Sequence, residues 1–241
     1  MKTSREERLT QAFVLTESDL KKLHDHLSKW FTSLSFRITC KDNLNREFLT
    51  LDELLRFENP PKRSILSLRI KGNSRDQSVS LSATFTDDAS RNINISIEGD
   101  EVDVVSQSDL FEETLAGIKP WYSPLARANF YVIMYAIVLI PAVIVMFIIG
   151  FGMINVVEDS PSLSMTTVIY KIIEGMFFGL LPPFFGFLLH KIQRPIFPMG
   201  VFALGQGAKR DRDKETMRTA VVLGFVISLL SSIVVTLLFT H

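Results

Sequence analysis

The chain has 241 residues, 47% of them apolar, and its 26 Lys and Arg are balanced by 26 Asp and Glu, so it carries no formal net charge and no nucleic-acid partner is expected. Its single cysteine, Cys40, excludes an internal disulfide and any cysteine-based zinc cluster. These averages conceal a boundary: charges are spread evenly to about Arg127 and are missing from long stretches beyond it, which implies two regions with different solvents.

The start, MKTSREERLTQAF, lacks the apolar core of a signal peptide, which places the N-terminal region in the cytosol. From Asp19, residues Leu20, Leu23, Leu27, Trp30 and Phe31 fall on one helical face, with Thr16 or Ser18 as the cap. Four segments then alternate with period two: Leu34 to Cys40, Leu66 to Ile70, Val79 to Phe85 and Ile93 to Ile97. Between the first two, TLDELLRFE offers Thr50 and Glu53 as a capping box for a short helix. The short connections GNSRDQ and DDASR predict an antiparallel meander for the last three strands. A helix bearing Val104, Phe111, Leu115 and Ile118 ends near Gly117 and Pro120. The expectation for residues 1–119 is a cytoplasmic α+β domain, a mainly antiparallel four-stranded sheet with helices on one face, followed by a membrane-proximal linker at 120–129.

The opposite sheet face presents Arg37, Arg69 and Lys71, which form a basic patch for an anion, headgroup or acidic partner if their strands are neighbours. A solvated face is the commoner arrangement in antiparallel sheets. Cys40, in an alternating stretch, reads as a buried small residue and not as a reactive thiol. The chain contains no Gly-x-Ser-x-Gly elbow, no His-Glu-x-x-His and no phosphate-binding glycine loop, so no catalytic residue, cofactor or metal is assigned and a non-enzymatic protein is expected.

Residues 130–241 read as an all-α membrane domain with spans at about 130–153, 168–189 and 219–240, the first and last free of charge. The middle one carries Lys171 and Glu174, which are spaced to pair at an interface, and the kinking pair Pro182 and Pro183. The connection INVVEDSPSLS is acidic, whereas the next holds Lys191, Arg194, Lys209, Arg210, Arg212, Lys214 and Arg218. The positive-inside tendency therefore makes the second connection and the α+β domain cytoplasmic and puts the C-terminus on the other side. The stretch PIFPMGVFALGQG is too short to span; it reads as an interfacial or buried turn, with a re-entrant loop as the alternative.

Ala220, Gly224, Ser228, Ser232 and Thr236 recur every fourth residue in the last span, and Gly175 and Gly179 repeat the device in the middle one. Small residues at this spacing let helices approach closely, and a hydroxyl stripe is also suited to a pore wall. The expected function is a multi-pass cell-membrane protein whose cytoplasmic domain senses a signal or binds a protein or small ligand, anchored in the lipid bilayer as a homo-oligomer. The alternatives are a homo-oligomeric channel gated by that domain and a membrane-tethered enzyme.

Overall fold

Alternation of apolar and polar side chains builds the central sheet. In the computed structural model, which describes residues 2–75, 78–88, 92–153 and 165–239, six strands pair antiparallel. They are Lys2–Leu9 (β1), Ser33–Cys40 (β3), Asn45–Phe48 (β4), Ile65–Asn73 (β5), Ser80–Thr86 (β6) and Ile93–Asp100 (β7), in the order β1-β7-β6-β5-β3-β4. Phe13–Thr16 (β2) stands outside this sheet and pairs in parallel with Gly200–Ala203 (β8).

The fold is α+β, but the expectation of four strands is corrected to six in the main sheet. Both additional strands are edges. Their sequences, KTSREERL and NREF, show why they are hard to see: β1 is charged throughout its middle and β4 is only four residues long. An edge strand needs one neighbour, and charge on it discourages pairing with another chain, so apolar alternation is not required of it.

One register detail also departs from the simple alternation. Thr39 faces Ser67 while Cys40 faces Ile65, so Leu66 is an extra residue in β5. This bulge turns Ile65 into the core and leaves Leu66 exposed, although period two counted from Leu68 assigns Leu66 to the core.

Helices cover one face. Glu17–Leu27 (α1) starts from Thr16, whose hydroxyl accepts from the Asp19 amide at 3.3 Å while the Asp19 carboxylate accepts from the Thr16 amide at 3.1 Å. Leu51–Leu55 (α2) is capped by Thr50, and the Glu53 carboxylate reaches back to the Leu49 amide at 3.1 Å. Glu101–Gly117 (α3) completes the layer. Leu20, Leu23 and Leu27 of α1, Leu54 of α2 and Phe111 and Leu115 of α3 join Phe36, Ile38, Leu68, Ile70, Phe85 and Ile95 of the strands in one core.

The chain divides into two compact units: Met1–Arg127 with Ile196–His241, and Ala128–Pro195. The first unit also contains Ser123–Arg127 (α4), β8 and Gln206–Phe239 (α7). Within residues 195–207, read from sequence as an interfacial or buried turn or a re-entrant loop, the chain forms β8, whose Phe202 and Ala203 are buried, as is the following Leu204. Phe13 packs edge-on against both Phe85 and Phe202, with ring centres 5.6 and 5.5 Å away. At Gly200 a Cβ would come within 2.7 Å of the Phe13 ring, so only glycine lets β8 approach this closely.

The second unit holds Phe130–Met153 (α5) and Met165–Ile196 (α6) up to Pro195. Gln193 donates to the Ala128 carbonyl at 2.9 Å, Tyr131 and His190 stand 5.6 Å apart, and Gly186 leaves room for Tyr131. The two helices therefore lie antiparallel at this end. Pro182, Pro183 and Pro195 all lie within α6 without ending it.

The expectation of a three-helix membrane domain is overturned. Among the described residues, one helix, Gln206–Leu237, is long and apolar enough to cross a membrane. The acidic connection with Glu158 and Asp159 lies outside the described residues.

Candidate functional site

Where α7 leaves the sheet domain, four distant segments are tied together by buried polar side chains. Asn59, with φ at +49°, donates to the carbonyls of Phe202 at 2.9 Å and Leu204 at 3.4 Å and accepts from the Ile65 amide at 2.9 Å. Asn92 accepts from the Gln11 amide at 3.1 Å and donates to the carbonyls of Gln11 and Met199. The Ser123 hydroxyl accepts from the Ala12 amide at 3.1 Å. Gly205, at φ +49°, lets the chain turn against the Glu58 carbonyl into α7; a Cβ there would come within 2.6 Å of that oxygen.

The centre of this junction is Arg218, a charged side chain with no exposed surface. Its Nε donates to the Ile196 carbonyl at 2.7 Å, and one Nη donates to Asp211 at 3.2 Å and to Glu215 at 2.8 Å. The guanidinium lies over the Tyr122 ring, 4.5 Å from its centre. Trp121 donates its indole N–H to Glu215 as well. Ala12, Tyr122 and Phe197, with Val14, Leu125, Ile196 and Val222 against them, supply the apolar surround.

Burial pushes the Tyr122 phenol well above its usual range, an effect partly opposed by the Arg218 charge. The phenol is therefore neutral at physiological pH and acts as a platform for the cation. Two carboxylates face the single guanidinium, so the buried cation is paired and hydrogen-bonded while the cluster keeps a formal charge of −1, with Glu215 reaching solvent. Arg218 Nη2 and the Tyr122 hydroxyl have no hydrogen-bond partner among the described residues.

Beside the junction lies a cavity of about 170 Å³, lined in part by Asn59, Ser64, Asp87, Arg210, Asp211 and Lys214. Arg210 donates to the Asn59 carbonyl at 2.8 Å. A larger depression of about 460 Å³ lies by the end of α1 and the start of α2, with Trp30, Phe31, Leu34 and Leu49 in its lining. Among the described residues no group of three or more His, Cys, Asp or Glu is arranged to hold a metal ion.

The residues singled out from sequence are distributed as follows. Arg37 and Arg69 face each other directly across β3 and β5, with Lys71 opposite Ser35 one step further along the same face. Arg37 donates to Glu47 at 3.1 Å and Arg69 to the Thr84 hydroxyl at 3.2 Å, both in the open, so the patch is a solvated sheet face with part of its charge neutralised. Ala220, Gly224, Ser228, Ser232 and Thr236 are exposed along α7, and a Cβ on Gly224 would meet nothing within 4 Å. Pro182 is buried and Pro183 half-buried in α6. Lys171, Glu174, Gly175 and Gly179 also fall on α6, but the surroundings of their side chains lie outside the described residues.

Sequence reasoning placed none of Asn59, Asn92 and Tyr122 in a site and named Arg218 only as one of the basic residues of the second connection. Arg218 carries a usable signal: it is the last charge before residues 219–239, and its acidic partners Asp211 and Glu215 stand seven and three residues earlier on the same helix. Its partnership with Tyr122 and Ile196 has no local signature.

Compared with protein-family models, curated proteins and solved structures, the chain matches none.

Proposed function

We propose that this chain is a membrane-anchored binding protein, whose α+β domain engages a partner or ligand and whose α7 fixes that domain to the bilayer. The observation that carries this is the exposure of residues 219–239: large apolar side chains such as Leu223, Phe225, Ile227, Leu230 and Ile233 are exposed all round the helix. A helix apolar on every side belongs in a protein core or in lipid. Its 219–239 stretch is about 31 Å long at 1.5 Å per residue, matching a ~30 Å hydrocarbon core.

Lys209, Arg210, Arg212, Lys214 and Arg218 precede that stretch, which supports a cytoplasmic position for the domain. Ala220, Gly224, Ser228 and Ser232 supply a smooth stripe on which the α7 of a second copy fits. The sheet face around Arg69 and Lys71 and the depression beside Trp30 are the surfaces available to a partner.

Fractionation of cells that express the full chain, alongside a chain ending at Arg218, tests the anchor. The full chain is expected in the membrane pellet after washing with high salt and alkaline carbonate, and the shortened chain in the supernatant. A shortened chain that stays in the washed pellet overturns the assignment of the anchor to α7.

A further inference from the structure

Residues 119–127, KPWYSPLAR, lie against the foot of α7 and divide into side chains that pin the segment and side chains that are left open. Tyr122 and Ser123 are buried: the first lies under the Arg218 guanidinium, and the hydroxyl of the second accepts from the Ala12 amide. The Ser123 amide donates to the Pro120 carbonyl and the Ala126 amide to the Tyr122 carbonyl, both at 3.0 Å, which closes the segment into a compact turn. Lys119, Trp121, Pro124 and Arg127 are exposed on it. The segment carries two bases and no acid.

Its level along α7 is bracketed from both sides of residue 219, where the uncharged stretch begins. Trp121 donates its indole N–H to Glu215, four positions before that residue, about 6 Å at 1.5 Å per residue. Val222, three positions inside the stretch and about 4.5 Å along it, packs against the cluster that holds Tyr122. The headgroup zone extends roughly 5–7 Å beyond the hydrocarbon on each side, so these two contacts hold the segment at the boundary between lipid and water.

The chemistry of the open side chains fits that boundary. The Trp121 ring has its polar end satisfied by Glu215 and its apolar body exposed, the division that places tryptophan at membrane interfaces. Lys119 and Arg127 add positive charge beside it, which suits the phosphates of the lipid surface. The exposed set is also continuous with the apolar stretch of α7, because Val222 belongs to that stretch and to the same cluster.

We propose that residues 119–127 form a second membrane contact, a collar at the base of α7 that lies in the phospholipid interface with Trp121 as its embedded side chain. The proposal rests on α7 being the membrane anchor. A single helix lets the attached domain tilt over the bilayer. A contact joined to the domain through Ala12 and Tyr122 holds that tilt, and so sets how the sheet face is presented to a partner.

The test uses the full chain with Trp30→Phe, which leaves Trp121 as the sole tryptophan, reconstituted in vesicles of phosphatidylcholine mixed with phosphatidylglycerol and recovered by flotation. The quenchers are lipids with a nitroxide close to the headgroup, lipids with a nitroxide at the acyl-chain end, and acrylamide in the water. Trp121 is expected to lose most of its emission to the shallow nitroxide, far less to the deep one and little to acrylamide. A chain that floats but is quenched by acrylamide and by neither nitroxide overturns the collar and leaves the anchor standing. Protection from all three overturns lipid in favour of cover by a second copy of the chain. Failure to float refutes the anchor itself.

A second reading keeps both tryptophans and does not depend on the Trp30 substitution. Pro124→Cys is labelled with a nitroxide while Cys40 stays buried and unlabelled. Oxygen, which concentrates in lipid, is expected to relax that label more strongly than a water-soluble nickel chelate does, and the reverse order overturns the collar.

Discussion

Residues 206–218 and 219–239 belong to one continuous helix, yet they meet their surroundings in opposite ways. The first stretch is dense in charge, lies beside β8, and buries Arg218 completely. The second carries no charge and leaves its large apolar side chains exposed. In water alone this arrangement is inverted. It becomes consistent once the second stretch has lipid as its solvent, because lipid satisfies apolar surface, whereas the arginine must be satisfied by the protein at the boundary. The difference teaches that burial within the chain and hydrophobicity are separate properties: the first records where protein packs, the second which medium is required.

The largest expected effect comes from cutting the first stretch away from the sheet. Residues 1–127 alone lack β8, Phe202, Leu204 and Arg218, which leaves Phe13 and Tyr122 without their cover. That fragment is expected to show no cooperative thermal transition. A chain in which residues 128–195 are replaced by a Gly/Ser linker should keep one, since Leu125, Ala126 and Ile196 pack against the same cluster. A cooperative transition in the fragment at the midpoint of the linked chain would show that α7 is merely appended.

Next is the buried charge. Arg218→Ala takes a donor from Asp211 and the Ile196 carbonyl, leaves Glu215 with the Trp121 indole, and should cost about 3 kcal/mol in denaturant unfolding of the detergent-solubilised chain. Arg218→Lys should recover part of this, because one ammonium keeps the charge but does not reproduce the guanidinium's fork. A loss below about 1 kcal/mol for Arg218→Ala would mean that the acidic partners are satisfied by water.

Asn59→Ala should cost about 2 kcal/mol, since three backbone groups lose their partner, and alanine is disfavoured at φ +49°. The same unfolding measurement reports it. The smallest effect falls on the exposed stretch: Gly224→Leu meets nothing within 4 Å and should change domain unfolding by less than about 0.5 kcal/mol. Its size-exclusion mass in detergent is expected to fall, because the smooth stripe that admits a second helix is lost. An unchanged mass would remove the stripe from the oligomer contact.

Much of the sheet domain is legible in local pattern. The strands β3, β5, β6 and β7 alternate because one face of each is buried, and α1 and α2 start at Thr16 and Thr50 because a hydroxyl satisfies amides that have no partner within the helix. The apolar run at 219–239 is likewise determined by composition alone, because a medium is selected residue by residue. Counting runs overreached for α5 and α6, where apolar character was equated with three spans.

Only the tertiary structure decided the rest. β1 and β4 need no apolar stripe because they are edges, and the Leu66 bulge is a property of the β3–β5 pair and not of either strand. The pairing of β2 with β8 joins segments at opposite ends of the chain through backbone hydrogen bonds, which carry no residue code. Arg37 and Arg69 became neighbours through register, while the meeting of Arg218 with Tyr122 and the cavity under Arg210 and Lys214 came from packing. Hydrophobic period and capping act within a few residues and so can be read along a sequence; register, edge position and the burial of a charge depend on partners brought together by folding, so they appear only when those partners are in place.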